Sequence, residues 1–182
     1  MLKEIIFVTV TLVLALVSRA SLRKPGSHGF YRFFAWEFML GIFVLNMHAW
    51  YAELGSVHQY IARILLAVSL FLAITGLGLL LQSGNTNTHR NDVPMLEFEK
   101  TTKLVTSGIY QYIRHPLYSS LFFLCGSFFF KQPSLTGGLL AVIACGFLIA
   151  TVRAEEIENT RHFGDQYLQY MNRTKMFIPF IL

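Results

Sequence analysis

The chain has 182 residues, enough for one domain; 54% are hydrophobic, 15% aromatic and only 14% charged, which argues against an ordinary soluble protein. The net charge of +5 would suit nucleic acid in a soluble chain, but no basic stripe interleaves with aromatic residues, so no nucleic-acid partner is expected. Cys125 and Cys145 both lie in apolar runs without metal-type neighbours, so neither a disulfide framework nor a metal site is expected.

The first apolar run, residues 5–17, follows Lys3 and Glu4 and precedes Arg19. Arg19 spoils the small-residue pattern that signal-peptide cleavage needs, so the run is predicted to be an uncleaved anchor. The runs at 30–52 and 61–81 are each near the ~20 residues required to cross a hydrocarbon core of ~30 Å. The fourth run, 117–130, is short, and the fifth, 135–152, is just long enough. Between them Lys131-Gln132-Pro133-Ser134 forms a turn suited to a tight helical hairpin. Ser119, Ser120 and Gly126 in one arm, and Gly137, Gly138, Ala141, Ala144 and Gly146 in the other, predict close packing of the two arms.

Five crossings with the N-terminus outside place Arg19, Arg23, Lys24, Arg32, Arg90, Lys100, Lys103, Arg114, Arg153, Arg161, Arg173 and Lys175 inside. Only Lys3, Arg63 and Lys131 fall outside. This asymmetry predicts a cytoplasmic C-terminus. The expected fold is therefore all-α: a polytopic integral membrane protein forming one domain over 1–182. Residues 1–82 supply three transmembrane helices, and 83–182 supply a cofactor-binding loop, the hairpin and a cytoplasmic tail helix. The loop at 82–114 is too long for a mere connector. From Arg153 onward the pattern predicts a helix leaving the membrane and ended by Pro179, with Phe163, Tyr167, Tyr170 and Met171 along one face. The small size hints at a prokaryotic cytoplasmic membrane.

Two polar stretches flank the hairpin, Thr106-Ser107-Gly108-Ile109-Tyr110-Gln111-Tyr112-Ile113-Arg114-His115-Pro116-Leu117-Tyr118 and Arg153-Ala154-Glu155-Glu156. A hairpin returns its two ends to one membrane surface, where they would form a charged pocket. Pro116 suits the first turn of a helix, whose free N–H groups attract an anionic ligand group beside Arg114 and His115. Glu155 and Glu156 attract a cationic group or accept hydrogen bonds from sugar hydroxyls, and Tyr110, Tyr112 and Tyr118 offer ring faces. Such a site fits a zwitterionic nucleotide derivative such as S-adenosyl-L-methionine. Alone, Arg114 and His115 read as interfacial anchors and the two glutamates as solvated acids; the joint pattern favours function for His115, Tyr118 and Glu155. Glu37 and His48 are ionisable residues within the second run. Glu37, nearer the inner surface, is a candidate substrate-site residue, and His48 reads as structural.

Together, Thr106-Ser107-Gly108-Ile109-Tyr110, Arg114-His115-Pro116-Leu117-Tyr118, Glu155-Glu156, Phe163-Gly164 with Tyr167 and Tyr170, and Ile178-Pro179 resemble the isoprenylcysteine carboxyl methyltransferase family. A looser form occurs in membrane phospholipid methyltransferases. The resemblance covers 102–179 and treats the first three helices only as hydrophobic spans. It implies a membrane enzyme that transfers a methyl group from S-adenosyl-L-methionine to a lipophilic acceptor drawn from the bilayer, such as an isoprenylcysteine carboxylate. Carried over by motif, the cofactor contacts are Thr102, Lys103, Leu104, Val105, Tyr110, His115, Pro116, Leu117, Tyr118 and Glu155. The family's substrate arginine falls four residues before the first glutamate, where this chain has Thr151; Arg153 stands two before it, turned by about 200° on a helix. Asn159 replaces the usual leucine. Arg153 and Glu156 are the catalytic candidates, and Arg153 and Glu37 the substrate-binding ones. Methyl transfer is an in-line displacement, so alignment in a dry cavity carries much of the catalysis, and an amine or thiol acceptor would also need a proton acceptor. The alternatives are a phospholipid-amine or thiol methyltransferase, an NADPH-dependent membrane enzyme of the sterol-reductase type, which has a similar Arg-His-Pro-x-Tyr stretch, and a non-catalytic membrane scaffold.

Overall fold

A computed structural model describes residues 1–52, 54–83, 95, 96, 99, 101 and 103–179. Among them the regular structure is helical: α1 (Leu2–Val17), α2 (Arg19–Leu22), α3 (His28–Leu45), α4 (Val57–Ser83), α5 (Pro116–Lys131), α6 (Leu135–Phe163) and α7 (Asp165–Arg173). Short 3₁₀ turns occupy Met47–Ala49 and Gly108–Gln111.

Four of the five apolar runs lie within helices, as a segment in apolar surroundings must satisfy its backbone internally; the second, expected over 30–52, stops being α-helical at Leu45, where Asn46 and a 3₁₀ turn at Met47–Ala49 take over. α4 and α6, with 27 and 29 residues, are long and apolar enough to cross a membrane. Only 17% and 28% of their most apolar stretches are buried inside the protein. Such helices are unlike the core helix of a soluble domain; their outward residues, including Phe71, Ile74, Leu139 and Val142, are exposed and apolar. α1, α3 and α5 have 16, 18 and 16 residues, or ~24–27 Å at 1.5 Å per residue, short of a ~30 Å core.

α1, α3, α4, α5 and α6 alternate in direction. One end of the bundle gathers Arg32 of α3, Leu80 of α4, Tyr118 of α5 and Glu155 of α6 around a cleft. The other end gathers the Lys3 ammonium with the Leu45 carbonyl at 3.2 Å, and Gln59 with the Lys131 carbonyl at 2.9 Å. Ser134 caps α6, its hydroxyl accepting from the Gly137 N–H at 3.1 Å, so the expected turn is built as a helix start.

The hairpin arms pack differently from the expectation. α5 lies most intimately against α4, and α6 against α3, while α5 and α6 share a smaller contact. The small residues serve these cross-pairings: a Cβ on Gly76 of α4 would stand 3.1 Å from Pro116 Cγ, and one on Gly126 of α5 would stand 3.2 Å from Leu65 of α4. Ala144 of α6 packs with Met39 and Ile42 of α3 and Cys125 of α5 in one core cluster. A second cluster joins Ala35, Tyr118, Leu148, Val152 and Phe177 beneath the cleft.

The segment after Arg153 also departs from expectation. α6 continues unbroken through the charged stretch to Phe163 and stops at Gly164, whose φ of +58° and ψ of −136° lie outside the regions open to other residues. α7 then ends at Arg173, well before Pro179. The chain beyond it runs beside the loop that precedes α5. Ile113 and Lys175 form a parallel bridge, with the Arg114 N–H donating to the Lys175 carbonyl at 2.8 Å and the Lys175 N–H to that of Tyr112 at 3.0 Å. Ser119 secures the tail by donating to the Phe177 carbonyl at 2.8 Å.

Candidate functional site

Pro116 opens α5 at its first position, where a missing N–H costs nothing, and His115 immediately precedes it. This placement aims Arg114 and His115 at the outgoing end of α6. His115 Nδ1 lies 3.8 Å from Glu155 Oε1, and its Nε2 lies 3.5 Å from Glu156 Oε1. The two polar stretches therefore meet.

Glu156 is buried and accepts from Arg114 Nε at 2.8 Å. Arg114 also donates to the carbonyls of Met171 (3.2 Å) and Thr174, so one guanidinium ties α6 to the end of α7. Glu155 carries no such strong pairing among the described residues: it accepts a 3.4 Å bond from Asn159 and faces His115. Of the two glutamates, Glu155 lines the cleft and Glu156 does not.

The cleft has a volume of about 140 Å³ and opens to the surface. That is below the ~300 Å³ at which ligand pockets begin, so a nucleotide-sized ligand must extend through the mouth. Its walls come from α3 (Arg32, Trp36), α4 (Leu80), the segment before α5 (Glu99, Thr101, Leu104, Val105, Tyr110), α5 itself and the α6–α7 corner. The Tyr110 hydroxyl donates to the Gly76 carbonyl at 3.3 Å, and the Tyr110 carbonyl accepts from the Tyr170 hydroxyl at 2.6 Å. Phe163, Tyr167 and Tyr170 form an aromatic run with centroid separations of 6.5 and 6.0 Å. Burial pushes the hydroxyls of Tyr110, Tyr167 and Tyr170 up, so they remain neutral donors.

Glu99 closes one side of the cleft. It pairs with Arg32, whose guanidinium also sits over the Trp36 ring at 4.9 Å, and it lies 3.4 Å from His28 Nε2. His28 is held in turn by both carboxylate oxygens of Glu158, one through its backbone N–H at 3.1 Å and one through its ring. Burial opposes ionisation of Glu99, but His28 and Arg32 outweigh it and hold the carboxyl below the usual carboxylate range.

Of the residues singled out from sequence, Leu104, Val105, Tyr110, His115, Pro116, Leu117, Tyr118 and Glu155 line the cleft. Lys103 is exposed and does not line it, and Thr102 lies outside the described residues. Arg153 is absent from this wall because the rotation that separates it from Glu155 turns it to another face of α6, where it lines a second hollow. Glu37 also faces elsewhere, accepting from the Thr11 hydroxyl of α1 at 2.8 Å. His48 sits at the far end, 3.3 Å from the Lys3 ammonium. Sequence reasoning did not place Arg32, Trp36, Leu80, Glu99 or Thr101 at the site. The available signal for the first two was an Arg-x-x-x-Trp pair at i, i+4 near the polar end of an apolar helix.

Among the described residues, the Tyr118 Oη, Tyr167 Oη and Arg32 Nε atoms at the cleft are buried without a hydrogen-bond partner. Tyr118 Oη feels the charges of Glu155 and Arg32 yet makes no bond of normal geometry to either. Such atoms are costly unless something else satisfies them. A ligand with hydroxyl, ammonium and aromatic parts fits this donor and acceptor set.

Residues 64–160 match the model of the isoprenylcysteine carboxyl methyltransferase family. The chain is similar to Protein-S-isoprenylcysteine O-methyltransferase B of Arabidopsis thaliana, 28% identical over 138 residues, which cover 75% of this chain and 64% of that protein. It is also 28% identical to Protein-S-isoprenylcysteine O-methyltransferase of Rattus norvegicus over 138 residues, covering 75% of this chain and 44% of the relative. Methanethiol S-methyltransferase of Crocosphaera subtropica is 32% identical over 81 residues, 43% of this chain and 30% of that one. The chain thus spans less than two thirds of the length of these curated relatives. No solved structure shows a significant match. Since the matched region takes in more than half of the chain, including both polar stretches that meet at the cleft, the chain belongs to the isoprenylcysteine carboxyl methyltransferase family.

Proposed function

We propose that this chain is a membrane-embedded methyltransferase that uses S-adenosyl-L-methionine and acts on a lipophilic acceptor such as an isoprenylcysteine carboxylate. The observation that carries this reading is the meeting of His115 with Glu155 at 3.8 Å, beside the unpartnered Tyr118 and Tyr167 hydroxyls, in one cleft. Glu155 faces the cationic part of the cofactor or its ribose hydroxyls. Tyr118 and Tyr167 supply hydroxyls and ring faces, worth up to about 2 kcal/mol each toward a desolvated cation. Leu104, Val105 and Leu117 exclude water, and the opening turn of α5 supplies backbone N–H groups for an anionic group. Bound there, the cofactor supplies an electrophilic methyl carbon for in-line displacement. Glu156 serves by holding Arg114, and hence α7, in place; it acts as a positioning residue.

In this reading all five long helices cross the bilayer, and the cleft faces the cytoplasm. Residues 1–182 form one domain. Three of the helices are short for the crossing, which a locally thinned bilayer accommodates at modest cost.

One observation favours an amine or thiol acceptor as a second reading. Both cleft arginines already face carboxylates, Arg32 with Glu99 and Arg114 with Glu156, so their charge is partly spent within the protein. A neutral nucleophile would then need a proton acceptor, and His115, flanked by both glutamates, is the group placed for it.

Calorimetry in detergent with S-adenosylhomocysteine and with NADPH separately tests the cofactor. Binding of the first, weakened in Glu155→Ala and Tyr118→Ala, is the expected result; tight NADPH binding in its place overturns the reading. Transfer of labelled methyl to farnesyl-cysteine, lipid extract or small thiols identifies the acceptor class.

A further inference from the structure

A second hollow, about 580 Å³, lies on another face of α6, between that helix and the turn joining α2 to α3. Its wall on α6 runs through Gly146, Ile149, Ala150, Arg153, Ile157 and Arg161. From Gly146 to Arg161 the helix rises ~22 Å at 1.5 Å per residue. The lower part is apolar, and a Cβ on Gly146 would meet nothing within 4 Å, which leaves room beside the helix. The upper part is cationic, with Arg153 and Arg161 opposite Lys24. Neither arginine has a hydrogen-bond or ion-pair partner among the described residues. Glu158 also borders the hollow, but both its carboxylate oxygens are engaged by His28.

A wall that passes from apolar to cationic along one helix matches the shape and charge of an anionic amphiphile, acyl chain below and headgroup above. We propose that this hollow binds an anionic phospholipid, with Arg153 and Arg161 on its phosphate and the chain along Ile149 and Gly146. The proposal rests on α6 crossing the bilayer with its later turns at the lipid–water boundary; it does not depend on which cofactor the cleft holds. A lipid seated here is not the methyl acceptor, because the hollow and the cleft occupy different faces of α6.

The test is to solubilise the full chain from vesicles of equal phosphatidylcholine and phosphatidylglycerol and to weigh the retained lipids by native mass spectrometry. Wild-type protein is expected to retain phosphatidylglycerol selectively. Arg153→Gln with Arg161→Gln should lower that preference roughly 25-fold, at about fivefold per basic residue, and Arg153→Lys with Arg161→Lys should restore most of it. Millimolar inorganic phosphate should not displace the lipid. Equal retention of both lipids, an unchanged preference in the double glutamine variant, or displacement by phosphate alone overturns the proposal. Helix content and melting of the variants in detergent separate a lost site from a lost fold. Recovery of the wild-type chain in the soluble fraction without detergent overturns the membrane reading beneath it, whereas failure to bind S-adenosylhomocysteine overturns only the cofactor reading.

Discussion

At the end of the bundle away from the cleft, Gln59 donates to the carbonyls of Ala49 and Lys131 at 2.8 and 2.9 Å, and Asn46 donates to that of Phe128 at 2.9 Å. The Lys131 ammonium sits 5.0 Å from the Trp50 ring centroid and 3.3 Å from Gln59 Oε1. At the cleft end, by contrast, Tyr118, Tyr167 and Arg32 each keep a buried polar atom without a hydrogen-bond partner among the described residues. Trp50 Nε1, Ser56 Oγ and Ser127 Oγ lack partners among the described residues at the far end too, but none of the three lines the cleft or the second hollow. Polar side chains at the ends of apolar helices thus divide into two kinds. One kind closes the helix ends by satisfying carbonyls that a helix leaves free; the other borders open space and waits on a ligand.

The sharpest way to break this contrast is Arg114→Ala. It leaves the buried Glu156 carboxylate with only the more distant His115 ring at 3.5 Å and frees the end of α7, so a loss of about 3 kcal/mol, the low end for a broken buried ion pair, is expected in equilibrium unfolding in mixed micelles. A smaller loss would mean that the cleft end is not held by its ion pair. Glu155→Ala should leave folding nearly unchanged and weaken S-adenosylhomocysteine about 10- to 100-fold by calorimetry, the range for a lost charge-assisted bond. Gln59→Ala is the converse: about 1–3 kcal/mol less stable, with ligand affinity unaltered. Should it impair binding as Glu155→Ala does, the two ends would not be distinct in role.

Acid gives a gentler probe. Glu99 is held below its ordinary pKa, so its contribution to stability is fully present above the unfolded carboxyl value of 4.5 and is lost as pH falls through the lowered folded value. Melting followed in that acid window should show this loss in wild type, and Glu99→Gln should flatten it. The smallest effect is expected from Lys103→Ala: being exposed and outside the cleft wall, it should change ligand affinity less than about twofold, the scale of a surface charge.

The residues by themselves determined where most of the helices lie, because an apolar run in a membrane-like setting has no alternative to pairing its own backbone, although α3 stops at Leu45 short of the end of its apolar run. Pro116 marked the start of α5 and Ser134 that of α6, each through local chemistry that needs no distant partner. The meeting of His115 with Glu155 followed from topology alone, since a helical hairpin must return to the level from which it left. Tertiary packing decided the rest. Arg153 and Glu155 are two positions apart, yet only the docking of α6 against α3 settles which faces the cleft and which the second hollow. Arg32 and Glu99 are 67 positions apart, and no periodicity links a loop carboxylate to a helix guanidinium. The same holds for Glu37 turning to Thr11, and for the tail pairing with Ile113. Helix formation is a local bargain between neighbouring backbone groups and their solvent, whereas the direction a side chain faces depends on which surfaces of whole helices fit together.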